Sequence, residues 1–249
     1  MTVCRLCEGQ VTPSFKHKIL CKYDVQYYSC TTCGYFQTEV PFWLEEAYTQ
    51  VINSEDNGIF RRNYFFSGFL LFWLFFDRAK KANYLDFSGG YGILVRLMRD
   101  QGFDFKWTDK FCENIFAKNA VAKLGNEKYE LVTTFEVIEH TEQPREFIKE
   151  IFALGTENLL FSTQVFKGKE PQKDWWYLGT NHGQHIGFFN RSSLEKLASL
   201  ENLHLISFRN MHLISKSRHS KIFFLFCYVI AFIGAPHVLY SLIKPRSLD

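Results

Sequence analysis

Four cysteines near the N-terminus have the spacing of a tetrahedral metal site. Cys4 and Cys7 form one Cys-x-x-Cys pair, and Cys30 and Cys33 form a second. Two such turns can direct four thiolates at one Zn²⁺, and four protein ligands are typical of a structural site without an open catalytic position. The segment that carries them shows no apolar helical stripe long enough to make a core, so we expect the metal to stabilise it. A redox dithiol or two chance pairs are the alternatives.

A glycine-rich run, YLDFSGGYG from Tyr84 to Gly92, joins an apolar strand to a helix. Such a turn lets the backbone approach a nucleotide-like ligand at the helix N-terminus. Counted from Gly90, the last glycine of the dinucleotide fingerprint would fall at Val95, so the spacing does not fit NAD. Asp109 ends the next strand, where a carboxylate can accept hydrogen bonds from ribose hydroxyls. The alternatives are a turn that only saves space and an aspartate that only caps a helix.

Two carboxylates and an imidazole follow a later strand, in the run FEVIEH. Glu136, Glu139 and His140 are expected just past the carboxyl edge of the sheet, where ligands bind in open α/β folds. Oxygen ligands and neutral imidazole suit Mg²⁺ or Mn²⁺, and a bound cation acidifies a coordinated hydroxyl. Without a metal, His140 or His185 could serve as general base. The remaining alternative is that Glu139 and His140 only cap the next helix.

The elements that must position these residues alternate between strand and helix from residue 82 onward. Apolar strands are separated by predicted helices over 92–101, 111–118 and 143–153, which favours a parallel sheet with helices on both faces. A further helix and two closely joined strands, LHLISFRN and MHLISKS, follow. We predict three segments: a zinc module with a linking helix at 1–53, a catalytic domain at 54–220, and an apolar extension at 221–249.

The extension is mostly apolar. Residues 222–240 are mostly apolar and lie between Lys221 and Lys244, which approaches the length of a membrane-spanning helix. Pro236 and His237 weaken that interpretation. A helix packed on the domain or on a partner is one expectation, and a helix lying in the membrane interface is the other.

Composition limits the function classes. With 249 residues the chain has room for one catalytic domain and a small appendage. A formal net charge of +3 argues against a nucleic-acid partner. The first residues show no secretory signal, so we expect a cytoplasmic protein with reduced thiols, with membrane association as an option. Between the strands and the hairpin, Trp175-Trp176-Tyr177 could stack on sugars or could pack beneath a lid.

The glycine run resembles the first motif of class I methyltransferases that use S-adenosylmethionine, with Ser88 in place of the usual first glycine. The run EVIEH resembles the Glu-x-x-Glu-His of the ubiquinone-biosynthesis O-methyltransferases and the small-RNA terminal 2′-O-methyltransferases, where these residues hold a divalent metal. In the RNA enzymes a further histidine follows, and His185 matches it better than His182. This resemblance implies a Rossmann-like sheet with a closing antiparallel hairpin. The cofactor-binding residues it implies are Asp86, Ser88, Gly89, Gly90, Gly92, Asp109 and Glu136.

Nearly the whole chain resembles a bacterial group of zinc-ribbon methyltransferases associated with surface-polysaccharide and sugar biosynthesis. The likeness rests on the cysteine pairs with Gly34 and on the runs PFWLEEAY, DFSGGYG, FEVIEH, WWY and GQHIGFF. Sugar C-methyltransferases with a four-cysteine zinc module are more distant relatives. The hypothesis is therefore methylation of a hydroxyl on a sugar or sugar-containing metabolite, organised by Glu136, Glu139, His140 and His185. An RNA methyltransferase, a C-methyltransferase of a sugar nucleotide and a non-catalytic adapter are the alternatives.

Overall fold

A computed structural model describes residues 3–49, 57–77, 82–125 and 127–236 of the chain. The α-helices are α1 (Leu44–Ala47), α2 (Ile59–Asp77), α3 (Ile93–Asp100), α4 (Pro144–Ala153), α5 (Arg191–Leu200) and α6 (Lys221–Phe232). The strands are β1 (Val11–Ile19), β2 (Tyr23–Cys30), β3 (Phe36–Thr38), β4 (Tyr84–Phe87), β5 (Phe105–Thr108), β6 (Leu131–Phe135), β7 (Asn158–Ser162), β8 (Gly187–Phe188), β9 (His204–Phe208) and β10 (Met211–Ser215). Short 3₁₀ helices occupy Lys118–Ala120, Ile138–His140 and Trp176–Leu178.

A six-stranded sheet has the order β5-β4-β6-β7-β10-β9. Strand β4 pairs in parallel with β5 and β6, and β10 pairs antiparallel with β9. Strand β7 is buried along its whole length, as expected for a central strand covered on both faces. The predicted Rossmann-like α/β fold with a closing antiparallel hairpin is confirmed.

The predicted helix over 111–118 is wrong, since after β5 the chain forms turns and only the 3₁₀ helix Lys118–Ala120. Side chains here bond to nearby backbone groups in place of a helical ladder. Asp109 Oδ1 accepts the N–H groups of Phe111 and Cys112, and the Asn114 amide bonds both the N–H and the carbonyl of Ala117. Local bonds of this kind compete with helix formation.

Contacts within the chain define two compact units, and the first contains residues 1–53, 135–152 and 161–216. Its four-stranded sheet has the order β1-β2-β3-β8. Buried Tyr27 and Phe36 of this sheet belong to one core cluster with Tyr177, Ile186 and Phe188. The N-terminal segment therefore does have a core, which a later part of the chain completes.

The second unit contains residues 54–134, 153–160 and 217–249. Here α2 packs against α3 and α6. The predicted boundary between residues 53 and 54 falls outside the described residues, and so does the tail beyond 236. The three-segment division stays a prediction. Within the described ranges, no helix combines the length and the apolar character needed to span a membrane.

Candidate functional site

The turn between β4 and α3 has the backbone geometry of a ligand cradle. Ser88, Gly90 and Gly92 have φ values of 58°, 55° and 82°, which lie in the left-handed region. A Cβ on Gly89 would lie 2.7 Å from an oxygen of Asp86, so no side chain fits there without a shift. Because its glycines carry no side chains, the turn lets a ligand approach the backbone at the start of α3, where N–H groups favour an electron-rich ligand.

Asp109 is tied to this turn by a hydrogen bond. The N–H of Gly90 donates to Asp109 Oδ2 at 2.9 Å, and the indole N–H of Trp107 donates to the Gly90 carbonyl at 2.9 Å. With Oδ1 held by two further N–H groups, the carboxylate has a fixed orientation. Each carboxylate oxygen has two lone pairs, and Oδ1 already accepts two N–H groups while Oδ2 accepts one, so the capacity left for a ribose hydroxyl lies on Oδ2.

Asp86 is buried in β4, at 3% exposure. The Thr133 hydroxyl donates to its Oδ1 at 2.7 Å. Burial raises the pKa of Asp86 to about 7, with the negative charge of Asp109 acting in the same direction. Asp86 thus lies beneath the turn, with Oδ2 close to the position that a Cβ on Gly89 would occupy.

Glu136 follows β6 and has φ 56°, an uncommon value for this residue type. Its N–H donates to Ser162 Oγ at 2.9 Å, and the Ser162 hydroxyl donates to Glu136 Oε1 at 2.6 Å. Reciprocal bonding holds the strained residue at the strand end. Glu136 does not belong to the metal-compatible group formed by its neighbours.

Glu139, His140 and His185 come together as that group. One candidate ligand atom from each lies within 4.8 Å of the other two. The rings of His140 and His185 have centroids 4.8 Å apart and stand nearly perpendicular. The backbone supports this proximity, because the Ile186 N–H donates to the Glu139 carbonyl. His182 lies beside His185, but its Nδ1 accepts the N–H of Gln184.

Surrounding groups orient the two imidazoles. His185 Nδ1 lies 2.6 Å from the carbonyl oxygen of Tyr177 and therefore donates to it, which makes Nε2 the ring nitrogen with a lone pair. His140 Nδ1 lies 3.2 Å from the Tyr48 hydroxyl. Burial lowers the pKa of His140 to about 4, so this ring is neutral at physiological pH. Neutral imidazole is the form that ligates a metal.

Glu139 is fully buried, and its two oxygens differ. The Tyr177 hydroxyl donates to Oε1 at 2.5 Å, whereas Oε2 is buried with no hydrogen-bond partner among the described residues. Burial first, and then the charge of Glu136, raises the pKa of Glu139 to about 8. An unpaired buried carboxylate oxygen beside two imidazoles fits a divalent cation, which would satisfy it.

The four predicted zinc ligands also come together. Cys4 Sγ lies 3.7 Å from Cys33 Sγ, and Cys7 Sγ lies 3.6 Å from Cys30 Sγ. A tetrahedron with Zn–S bonds of about 2.3 Å has sulfur atoms about 3.8 Å apart. The distances fit zinc and exclude disulfides, whose sulfur atoms are about 2.05 Å apart.

Tyr48, Ser162 and Tyr177 contact the predicted site residues, yet the sequence did not identify them as such. Tyr177 is the buried member of the predicted aromatic patch, and Trp175 packs beside it with the rings 5.1 Å apart. Trp176 is 74% exposed. The patch was the only sequence signal for Tyr177, and spacing did not show that it meets Glu139.

A cavity of about 480 Å³ opens beside the start of α3. Its lining is largely aromatic and aliphatic, with the side chains of Arg61 and Arg96 as the charged members. Three of the lining residues carry rings: Phe60, Tyr64 and Phe116.

Comparison with known proteins gives a family match. The family model described as "Methyltransferase domain" matches residues 60–207. No curated protein matches the chain.

Among solved structures, the chain is similar to magnesium protoporphyrin IX methyltransferase from Synechocystis PCC 6803 with bound S-adenosylhomocysteine, at 13% identity and a TM-score of 0.48, covering 70% of this chain and 94% of that one. It is also similar to a methyltransferase from Thermotoga maritima described as a possible histamine N-methyltransferase, at 12% identity and a TM-score of 0.48, covering 68% and 97%. A third is an S-adenosylmethionine-dependent methyltransferase from Clostridium acetobutylicum ATCC 824, at 9% identity and a TM-score of 0.44, covering 70% and 100%.

Proposed function

Because this chain belongs to the methyltransferase-domain family and is a methyltransferase that depends on S-adenosylmethionine, we propose that it methylates a hydroxyl of a sugar or sugar-containing metabolite. The single observation that carries the hydroxyl assignment is the buried, unpaired Oε2 of Glu139 beside His140 and His185. Such a group would bind a divalent cation, and a cation there would favour an oxygen acceptor.

The cofactor lies on the turn after β4 in this proposal. The backbone of Ser88, Gly89, Gly90 and Gly92 approaches it at the start of α3, and Asp109 accepts its ribose hydroxyls. Asp86, beneath the turn, belongs to the same proposed cofactor site. Glu136, held by Ser162 in its strained conformation, contributes a carboxylate at the end of β6.

Glu139, His140 and His185 organise the acceptor hydroxyl. They would hold Mg²⁺ or Mn²⁺, because one carboxylate oxygen and two neutral imidazoles form a suitable partial ligand set with positions left for substrate. When bound, such a cation would polarise the hydroxyl and lower its pKa. Tyr177 and Tyr48 orient the group by the hydrogen bonds described above.

In the transfer itself, the acceptor oxygen forms a bond to the methyl carbon while the carbon–sulfur bond breaks. The sulfur keeps the electron pair, so S-adenosylhomocysteine leaves uncharged at sulfur. The hydroxyl proton passes to water when the two imidazoles hold a cation, or to the imidazole of His140 or His185 when they do not. Much of the rate comes from holding the oxygen in line with the carbon–sulfur bond.

A sugar acceptor is supported by the ring next to this group. Trp176 is exposed, its ring lies 5.3 Å from that of Tyr177, and the Tyr177 ring lies 4.5 Å from that of His185. An exposed indole stacks well on the apolar face of a pyranose. The vicinal hydroxyls of a sugar can also chelate a cation.

The cysteine cluster completes the proposal as a structural Zn²⁺ site. Arg5, between two of its cysteines, donates through Nη2 to the Ile186 carbonyl, directly after His185. β3 also pairs with β8, which begins at Gly187. The zinc module thereby positions the segment that carries His185.

The test combines calorimetry with acceptor screening. Purified chain is titrated with S-adenosylmethionine, S-adenosylhomocysteine and NADH, and the first two are expected to bind while NADH does not. Labelled methyl transfer is then measured on a panel of nucleotide sugars and on short single-stranded RNA, with Mg²⁺ or with EDTA followed by excess Mg²⁺. Labelled O-methyl sugar that requires Mg²⁺ supports the proposal. Labelling of RNA alone, a C-methyl product, or no binding of either adenosyl ligand contradicts it.

A further inference from the structure

Helix α6 exposes an apolar face. Ile222, Phe226, Val229 and Ile233 recur at the spacing of one helical face and are all exposed, with Ile222 at 81%. Phe232 beside them is 70% exposed. The opposite side is buried through Phe224, Cys227 and Tyr228, so α6 is apolar on both sides although only one is covered.

The exposed face continues onto α2. The ring of Phe226 lies 5.3 Å from that of Phe72, which lies 4.9 Å from that of Phe76. Phe75 and Phe76 are themselves exposed. We call the exposed side chains Phe75, Phe76, Ile222, Phe226, Val229, Phe232 and Ile233, with the partly buried Phe72 that joins them, the aromatic face. Contiguous exposed apolar surface of this kind marks an interaction site.

The two sequence segments that contain α2 and α6 are rich in basic residues. Residues 59–81 and 217–249 together contain two acidic residues, Asp77 and Asp249. The same two segments contain nine basic residues: Arg61, Arg62, Arg78, Lys80, Lys81, Arg218, Lys221, Lys244 and Arg246. Since the whole chain has a net charge of only +3, the rest of it is net acidic and the positive charge is concentrated in these segments.

We propose that the aromatic face docks on the surface of an anionic lipid bilayer. Apolar rings on segments whose sequence is rich in Lys and Arg match the acyl region and the anionic headgroups of such a membrane. α6 has 12 residues, about 18 Å, which is shorter than the roughly 30 Å hydrocarbon core, so it lies along the interface and does not cross it.

The charge distribution favours a bilayer over a second copy of the chain or the chain's own C-terminal segment as the occupant of this face. A two-fold contact with a second copy would bring together two surfaces of the same positive sign. The sequence after residue 236 is also rich in apolar residues and contains Lys244 and Arg246 beside one acidic residue, Asp249, so its composition offers no excess of negative charge to pair with the basic residues.

The experiment is co-flotation of the full chain with vesicles of phosphatidylcholine alone or with about 30 mol % of the anionic lipid phosphatidylglycerol added. The expected result is binding to the anionic vesicles that falls severalfold in 0.5 M NaCl, because salt screens headgroup charge (Debye length about 4 Å). The double variant F226S/F232S is expected to bind at least tenfold more weakly. The matched control is Phe42→Ser, which removes an exposed ring in the first unit and should bind like the wild type.

Binding of S-adenosylhomocysteine and the unfolding temperature verify that each variant is folded. Because α6 keeps its buried face, F226S/F232S should retain both. Sedimentation velocity measures whether the chain dimerises, which tests a second copy as the occupant of the aromatic face. No flotation of the wild type, equal flotation of wild type and double variant, or a dimer that the double variant abolishes overturns the proposal. So does flotation that appears only after deletion of residues 237–249, since the tail would then be the occupant.

Discussion

The backbone N–H of Gly90 donates a hydrogen bond of 2.9 Å to Oδ2 of Asp109. This bond links the glycine turn after β4 to the end of the neighbouring strand β5. Asp109 thus has two roles: it accepts hydrogen bonds from backbone N–H groups, and it is the proposed acceptor for ribose hydroxyls. The two roles can be separated by experiment.

Asp109→Ala should weaken binding of S-adenosylmethionine at least tenfold and lower the free energy of unfolding by about 1–3 kcal/mol, because backbone N–H groups lose their acceptor. Asp109→Asn keeps one oxygen and should lose less stability. Calorimetry and denaturant unfolding measure the two effects. If both variants bound the cofactor as tightly as the wild type, Asp109 would be structural only.

Ser88→Gly should stabilise the protein by about 0.5–1 kcal/mol. Ser88 has φ 58°, a conformation that costs a non-glycine residue roughly 1–2 kcal/mol and glycine little. Denaturant unfolding measures the change, and Ser217→Gly, at a residue without positive φ, serves as control and should not gain stability. A loss of stability in Ser88→Gly would show that the hydroxyl makes a compensating bond.

The contribution of Asp86 to the free energy of unfolding of the ligand-free protein should decrease as the pH rises. Its pKa is raised by burial to about 7, from 3.8, so the folded state binds a proton that the unfolded state has released. Its stabilising contribution is full below about pH 4 and is lost as the pH rises towards 7, by a few kcal/mol at most. Unfolding of wild type and Asp86→Asn is compared at pH 5 and pH 7.5. The variant's stability relative to the wild type should rise over this interval, and a constant difference would show that Asp86 is ionised at pH 5.

The sequence predicted those parts of the fold that depend on local patterns. Strands such as β4 and β7 were predictable because short apolar runs end at turn residues, and α3 because its helix follows the glycine turn. The helix over 111–118 was wrong because single side chains, Asp109 and Asn114, capture backbone groups that periodicity ignores.

The parts that sequence could not supply are contacts between distant residues. The sequence identified Glu139, His140 and His185 through a resemblance, but it could not show that Tyr177 bonds Glu139 from 38 positions away. It likewise missed that the N-terminal strands share a core with residues 166–188. Such pairings depend on chain topology, which single-sequence patterns do not encode.

Zinc removal should destabilise the protein and disturb the His185 segment. Cys33→Ser removes one of four thiolates, so we expect less than one zinc per chain and an unfolding temperature lower by about 10 °C. Cys21→Ser, at an exposed cysteine outside the cluster, is the control and should keep full zinc content. Elemental analysis and calorimetric unfolding measure both. Equal zinc content in the two variants would contradict the assignment.

Glu139→Gln should separate acceptor chemistry from cofactor binding. The substitution keeps the size of a fully buried side chain but removes the charge that would hold a cation. We expect kcat to fall at least a hundredfold and the Mg²⁺ requirement to rise, with S-adenosylhomocysteine affinity unchanged. Glu142→Gln alters an exposed carboxylate three residues away and should behave as wild type. If Glu139→Gln retained its rate and its Mg²⁺ dependence, the cation would bind elsewhere, and Oε2 of Glu139 would have only a structural role.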